Sequence, residues 1–403
     1  MTRRSFLILQ GTASPFFRRL GAALQARGHA VQRVNFCGGD LLYAGDTPSW
    51  NYTGTPEALP AWYRDVLSEG GFSDVILFGD CREIHRHVHP LCRTHGVTAN
   101  VFEEGYVRPF WLTLERVGVN ARSTLPCDPS WYLDRRASTP RVAAAAPTGY
   151  NVAERALHDI RYRAANTAFK WRFPHYRTHR PRNGFAEYAG LASRVLAQRR
   201  FDSEARAVTA ELRTCADGYY FFPLQLDADS QIVVHSPFDG VHETIRKVLT
   251  SFADNAPARS LIALKNHPLD TGLTDHRQFT MNLARTLGIA ERVRFIDGGH
   301  LPTLLGHARG VVVVNSTVGM SALHHRRPLI ALGTAVYSMP GLTWQGDLDA
   351  FWLHGEAPDV TLYEAFLDYV VHHTQINGDF YIKTGIAMAT AGAVERLEAR
   401  EHG

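Results

Sequence analysis

Residues 310–323 read GVVVVNSTVGMSAL, and this stretch decides the fold. Val311–Val314 is a continuous hydrophobic run that predicts a buried strand. Asn315, Ser316 and Thr317 follow as a polar turn, and Met320 and Leu323 then share one side of a helix. A buried strand passing through a polar turn into a helix is the repeating unit of a parallel α/β sheet.

The same grammar recurs on both sides. Upstream, YYFFPLQL (Tyr219–Leu226), LIALKNHP and VRFID read as strands, and downstream PLIALG adds another. Between them, Ile245, Val248, Leu249 and Phe252 recur at helical spacing. Near the N-terminus, Phe6–Leu9 is a short strand, followed by a helix carrying Phe16, Phe17, Leu20, Ala23 and Leu24, with Pro15 suited to its first turn and Gly28 to its end. Strands at Ala30–Phe36, at DVILFGD (Asp74–Asp80) and at VTANVF ending in Phe102 complete the first half, with a helix through His85, His87 and His89 before the last.

The chain has 403 residues, of which 45% are hydrophobic and 20% charged, values that exclude disordered and fibrous classes and suggest two domains. A formal net charge of +4 is too weak to imply a nucleic-acid partner. Five cysteines without a C-x-x-C pair fit a reducing compartment. The apolar run at Phe6–Leu9 is too short for a signal peptide, and no run is long enough to span a membrane, so a soluble or peripheral protein is expected. The expected architecture is α/β and GT-B-like, with two Rossmann-like doubly wound domains facing a central cleft and C-terminal closing helices. The expected boundaries are 1–205, including a basic helical insertion at 151–205, then 206–360, then helices at 361–403 packing back.

Four motifs fall where such strands end, and open α/β sheets bind ligands at those ends. In VFEEGYVRP, Glu103 and Glu104 close a strand, with Gly105 next and Arg108 close behind. Neighbouring carboxylates on extended backbone point opposite ways, so one can enter a cleft as general acid or base while the other anchors a loop. A solvated turn is the alternative. In KNHP (Lys265, Asn266, His267, Pro268) a strand-end histidine can donate to a phosphate oxygen, or simply satisfy its loop. Asn315, Ser316 and Thr317 offer hydroxyls at a helix start, suited to an anion and equally to capping. In FFPLQLDADSQ, Asp227 and Asp229 read as a metal clamp, a nucleophile or a polar turn. His85, His87 and His89 diverge on a helix, so no metal site is expected. Arg161–Arg182 carries Arg161, Arg163, Lys170, Arg172 and Arg177 with Trp171 among them and no acid, a pattern that favours an anionic membrane surface over RNA or a solvated helix.

Together with LQGTASPFFRRL, NFCGGD, FGDCR, LERVGVN and HSPF, these motifs resemble the KpsS-type capsule polysaccharide β-Kdo transferases of Gram-negative bacteria. The E-E-G, H-P and S-T trio is also similar to that of bacterial sialyltransferases. The resemblance implies a retaining enzyme that moves Kdo from CMP-Kdo to a (lyso)phosphatidylglycerol lipid at the cytoplasmic face of the inner membrane. Other capsule biosynthesis proteins are implied partners, and no cofactor or metal is needed, since a single leaving phosphate can be held by side chains. On that implication, the N-terminal domain is the acceptor side and the second domain binds the CMP-sugar. Glu104, or Glu103, is the base, and His267 with Ser316 and Thr317 cradles the phosphate, supported by Lys265 and Asn315. Arg108 pairs with the sugar carboxylate, and Asp229, or else Asp227, is the nucleophile of a double displacement. The alternatives are an inverting sialyltransferase-like enzyme, a transferase of another activated unit such as glycerol phosphate, and a non-catalytic assembly or export partner.

Overall fold

The computed structural model describes residues 3–149, 151–178, 184–226 and 236–399. The chain forms two compact units, one of Met1–Thr124, Arg141–His179 and Val370–Gly403, the other of Leu125–Pro140 and Arg180–Tyr369.

The first unit is built on a seven-stranded sheet of β1 (Ser5–Ile8), β2 (Ala30–Asn35), β3 (Ser49–Asn51), β4 (Asp74–Phe78), β5 (Thr98–Glu104), β6 (Trp111–Arg116) and β12 (Gln375–Asn377), in the order β12-β6-β5-β4-β1-β2-β3. Strands β1 to β5 run parallel, and β6 and β12 add antiparallel pairs at one edge. Alternation along each strand divides the core into two layers. Phe6, Ile8, Ile76 and Phe102 pack on one face with Phe16, Leu20 and Phe380. Leu7, Leu9, Val75, Leu77 and Val101 pack on the other with Leu59 and Tyr63. The helix Lys383–Glu398 lies against the helix Phe16–Ala26, so the chain's tail closes this unit's core.

The second unit has a five-stranded parallel sheet of β7 (Tyr219–Pro223), β8 (Leu261–Lys265), β9 (Val293–Ile296), β10 (Gly310–Val313) and β11 (Leu329–Ala331), ordered β11-β10-β7-β8-β9. Tyr220, Phe222, Ile262, Leu264, Val312 and Ile330 pack with Ile245, Val248 and Phe252 of the helix Val241–Asn255. Both sheets are therefore doubly wound α/β, the class expected from the sequence. In the first the order reverses at β1 and β4, in the second at β7 and β10.

The units part at different places from those expected. The helix Gly184–Thr214 lies wholly in the second unit, so residues 184–205 of the basic stretch leave the first. Packing explains this. Gly298 lets the helix come close, since a Cβ there would stand 3.2 Å from the Phe201 carbonyl oxygen. Arg194 and Glu204 of the helix then enter ion pairs with Asp297 and Arg277. Residues 125–140 join the same unit, where Tyr132 meets Phe366 and Tyr369 edge-on. The tail expected as helices also contains β12.

Candidate active site

In the first unit the site is built where β5 ends. Glu103 and Glu104 pair with Thr113 and Leu112 of β6, so their side chains leave opposite faces of the strand. Glu103 Oε1 accepts the backbone N–H of Glu104 at 2.9 Å, which anchors the strand end. Glu104 is held from two sides, by Arg108 Nη1 at 3.3 Å from Oε2 and Arg155 Nη2 at 3.4 Å from Oε1. The structure thus separates the two carboxylates into a backbone anchor and a carboxylate set between guanidiniums. Arg155, at the start of the helix Val152–Ala168, was not visible as a partner from the sequence.

The loop after β5 is tightly constrained. A Cβ at Gly105 would fall 2.2 Å from the Trp111 carbonyl oxygen, so no side chain fits there without moving the β5–β6 connection. Phe110 is held at φ +70°, a conformation that costs a bulky residue energy and is paid for only by surrounding contacts. Tyr106 is buried, its backbone N–H donating to Gln375 Oε1 at 3.0 Å and its hydroxyl donating to Glu115. The same hydroxyl accepts the Asn120 N–H at 2.6 Å. Ser123 also donates to Glu115. Burial outweighs these donors and pushes the Glu115 carboxyl up to about 7.

His85, expected on a helix, precedes the helix Val88–Thr94 and donates from Nδ1 to the Gly79 carbonyl at 2.9 Å. Burial pushes its pKa down to about 3, so it is a neutral loop anchor at the end of β4.

In the second unit the candidates cluster at the carboxyl ends of β8 and β10. Asn266 ties three segments together. Its Nδ2 donates to Asp270 at 3.0 Å and to Asp297 at 2.9 Å, and its Oδ1 accepts the His267 N–H at 2.9 Å. His267 Nδ1 accepts the Leu269 N–H at 3.1 Å, so the neutral ring carries its proton on Nε2, the tautomer that can donate to an anion. Asp297 also pairs with Arg194 at 3.0 Å and Arg277 at 2.7 Å, and these hydrogen bonds outweigh its burial to hold its carboxyl below the usual range. Lys265 and Asn266 are buried, and Lys265 and Pro268 line a cleft of about 400 Å³.

At the end of β10, Asn315 is joined to Gln225 at the end of β7, with Gln225 Nε2 donating to Asn315 Oδ1 at 3.2 Å. This bridge spans the two strands at which the sheet order reverses. Ser316 Oγ accepts the Val318 N–H at 3.2 Å from one position before the N-cap, and the N-cap residue Thr317 makes no side-chain capping bond of its own. Asp227 and Asp229 lie outside the described residues. Sequence reasoning missed Gln225, Asp297, Arg194 and Arg277. The polar end of FID was the one visible sign of Asp297.

The basic segment is divided by the fold. Arg161, Lys170, Trp171 and Arg172 are exposed, Trp171 at 74%. Arg163 instead pairs with Asp159 of its own helix at 3.0 Å, and Arg177, also exposed, lines a small cavity with Phe173 and Tyr176. Among the described residues, no helix is long and apolar enough to cross a membrane.

The chain belongs to the family of capsule polysaccharide biosynthesis proteins, whose profile matches residues 73–381, the span that holds all the strand-end candidates above. It is 34% identical over 383 residues to the capsule polysaccharide export protein KpsS of Escherichia coli, covering 94% of this chain and 98% of that protein. The capsule polysaccharide modification protein LipB of Neisseria meningitidis serogroup B is 32% identical, over 94% of this chain and 91% of its own length. Among solved structures, the β-Kdo 2,7-transferase of Thermosulfurimonas dismutans KpsC aligns over 98% of this chain and 100% of its own at 13% identity, with a TM-score of 0.44.

The Glu115 carboxyl gives a pH prediction. Its folded pKa of about 7 lies above the roughly 4.3 of an unfolded glutamate, so the folded state binds the extra proton between those values. Stability from this group is intact below pH ~4.3 and falls through pH ~7 as the buried carboxyl ionises, at up to about 1.4 kcal/mol per unit. Glu115→Gln removes that component. Chemical denaturation from pH 4.5 to 8 should show a shallower decline for the variant than for the wild type, and parallel curves would exclude the assignment.

Proposed function

We propose that this protein is a retaining β-Kdo transferase that moves Kdo from CMP-Kdo to a (lyso)phosphatidylglycerol acceptor and so begins the linker of a capsular polysaccharide. The observation that carries this reading is the chemistry at the strand ends of a capsule-biosynthesis family member. The first unit presents a carboxylate flanked by arginines, and the second presents a histidine in a phosphate-donating tautomer. The relatives' names speak of capsule polysaccharide export and modification, and a transferase that starts the linker is compatible with both.

In this reading Glu104 is the base toward the acceptor hydroxyl, with Glu103 holding the strand end. His267 donates through Nε2 to the departing phosphate of CMP. Asn315, Ser316 and Thr317 supply further donors at the end of β10, while Lys265 contributes positive charge and Asn266 and Pro268 shape the turn. Preorganised donors of this kind stabilise a leaving monophosphate without a metal ion. Arg108 pairs with the sugar carboxylate. Asp229 is proposed as the nucleophile that retention requires, with Asp227 its alternative.

The protein is further proposed to act at the cytoplasmic face of the inner membrane, docked by Arg161, Lys170, Trp171 and Arg172. Exposed indole and basic side chains suit an anionic lipid surface.

Incubation of the purified protein with CMP-Kdo and a fluorescent lyso-phosphatidylglycerol, read by mass spectrometry, should add one or more Kdo masses. No addition would favour the export-partner reading that the KpsS name suggests. Glu104→Gln and His267→Ala should each lower turnover by at least about a hundredfold, the scale of an acid–base group. Turnover near the wild-type value in either variant removes that residue from the mechanism.

Changing Arg161, Lys170 and Arg172 together to glutamine should weaken co-sedimentation with phosphatidylglycerol vesicles by about two orders of magnitude, at roughly 1 kcal/mol per basic residue. Activity on a short soluble acceptor should persist. Unchanged sedimentation would refute the docking surface.

A further inference from the structure

The segment NFCGGD (Asn35–Asp40) runs from the end of β2 into the short helix Gly38–Leu42, and none of the strand-end chemistry described above uses it. Its glycines are explained by what lies over them. A Cβ on Gly38 would run into the Ala165 carbonyl oxygen, and one on Gly39 into the ring of Tyr162. Glycine at both positions lets the helix Val152–Ala168 lie this close.

The close approach is filled with hydrogen bonds. Asp40 is 5% exposed, and both of its oxygens are engaged. Oδ2 accepts the Phe36 N–H and the Gln10 side-chain amide, each at 3.0 Å, which ties it to the ends of β2 and β1. Oδ1 accepts the Tyr162 hydroxyl at 2.7 Å. That hydroxyl proton is given to Asp40, so the Cys37 thiol is the donor in its 3.1 Å contact with the Tyr162 oxygen. Asn166 Oδ1 accepts the Gly39 N–H at 2.7 Å, and His158 Nδ1 meets the Tyr43 hydroxyl at 2.7 Å. Arg33, buried on β2, donates to the Tyr43 and Ala44 carbonyls and fastens the far end of the short helix.

Arg155, His158, Tyr162 and Asn166 follow at spacings of three and four, so they share one face of their helix. Three of them bond to the segment Cys37–Tyr43, and the fourth reaches Glu104 at 3.4 Å over the ring of Tyr381. Leu157, Ile160 and Arg161, toward the other side, are exposed. A buried hydrogen-bond network selects one arrangement of the elements it joins. The rotation of this helix, and with it the direction of Arg155, is therefore set two turns away, at Asp40.

We infer that Asp40 and Tyr162 are positioning residues: their hydrogen bond fixes the helix Val152–Ala168 so that Arg155 meets Glu104. This role rests on the proposed transfer, with Glu104 as base, and adds the residues that hold the second arginine of that base in place. It also gives NFCGGD a function, as the seat of the helix.

The test is steady-state Kdo transfer to lyso-phosphatidylglycerol by the full chain, as wild type, Tyr162→Phe, Arg155→Gln and the double variant. Tyr162→Phe removes one hydroxyl and keeps the ring on Gly39. It should lower kcat about tenfold with KM for CMP-Kdo within about twofold, because a misplaced base slows chemistry more than it weakens donor binding. Arg155→Gln should lower kcat by a similar factor. On the Arg155→Gln background, Tyr162→Phe should lower kcat by less than about twofold more, since the hydroxyl then has no arginine left to align. A role in folding alone would give the same loss on both backgrounds. Losses that multiply, or a wild-type kcat in Tyr162→Phe, overturn the assignment and leave the transferase reading intact. Asn166→Ala, from the same helix face, repeats the cycle if Tyr162→Phe melts early. Absence of transfer by the wild type sinks the transferase reading and this role with it.

Discussion

Parallel strands covered on both faces leave reactive side chains few routes to a ligand, and the rest of this molecule follows from that constraint. In β1, β4, β7 and β10 nearly every residue is buried, and successive side chains enter opposite apolar layers. Polar chemistry is thereby displaced to the carboxyl ends, where backbone pairing stops and loops can turn toward solvent. Glu103 and Glu104 at β5, Lys265 to His267 at β8, Asp297 after β9 and Asn315 after β10 all occupy such positions. The cores therefore set the location of the chemistry even though they contribute none of its groups.

Holding charge at a strand end carries a desolvation cost, and the two units meet it differently. Asp297 is nearly buried and is given two guanidiniums and an amide, a set of charge-assisted bonds strong enough to keep it ionised. Those partners also clamp the helix Gly184–Thr214 to β9, so one carboxylate serves both electrostatics and packing. Glu104 is about a quarter exposed and its arginine contacts are longer, at 3.3 and 3.4 Å. Water shares the solvation of that group, and each contact is correspondingly weak. Asp297 has the character of a structural joint, Glu104 that of a group able to exchange partners.

Much of this arrangement was legible in the sequence where a single segment contained the whole pattern. GVVVVNSTVGMSAL holds its strand, turn and helix in one stretch, and periodicity sufficed for β1, β2, β4, β5 and the second sheet. Three strands of the first sheet, β3, β6 and β12, were not legible. β3 and β12 are three residues long, and β12 sits between helices whose periodicity masks it. The functional residues divide along the same line. Glu104 and His267 stand at the ends of recognisable strands. Arg155, Arg194, Gln225 and Arg277 acquire meaning only through partners far along the chain, a relation that local spacing cannot reveal. The boundary at residue 205 failed for that reason too, since the helix crossing it is claimed by glycines and a carboxylate nearly a hundred residues downstream.

Arg108 shows why finding a residue is easier than assigning its work. Four positions after Glu104 it looks like a guanidinium available to a substrate carboxylate, yet its Nη1 already faces Glu104 Oε2. A guanidinium has two edges that present paired N–H groups, and a single Nη1 contact to Glu104 leaves the Nε–Nη2 edge for a sugar acid. Under the proposed transfer Arg108 would therefore stand between the two carboxylates, touching Glu104 through one edge and the sugar through the other. Arg155 holds the other oxygen of Glu104 from a separate helix and over the ring of Tyr381. Glu104 is thus positioned from two sides, and its place does not depend on Arg108 alone.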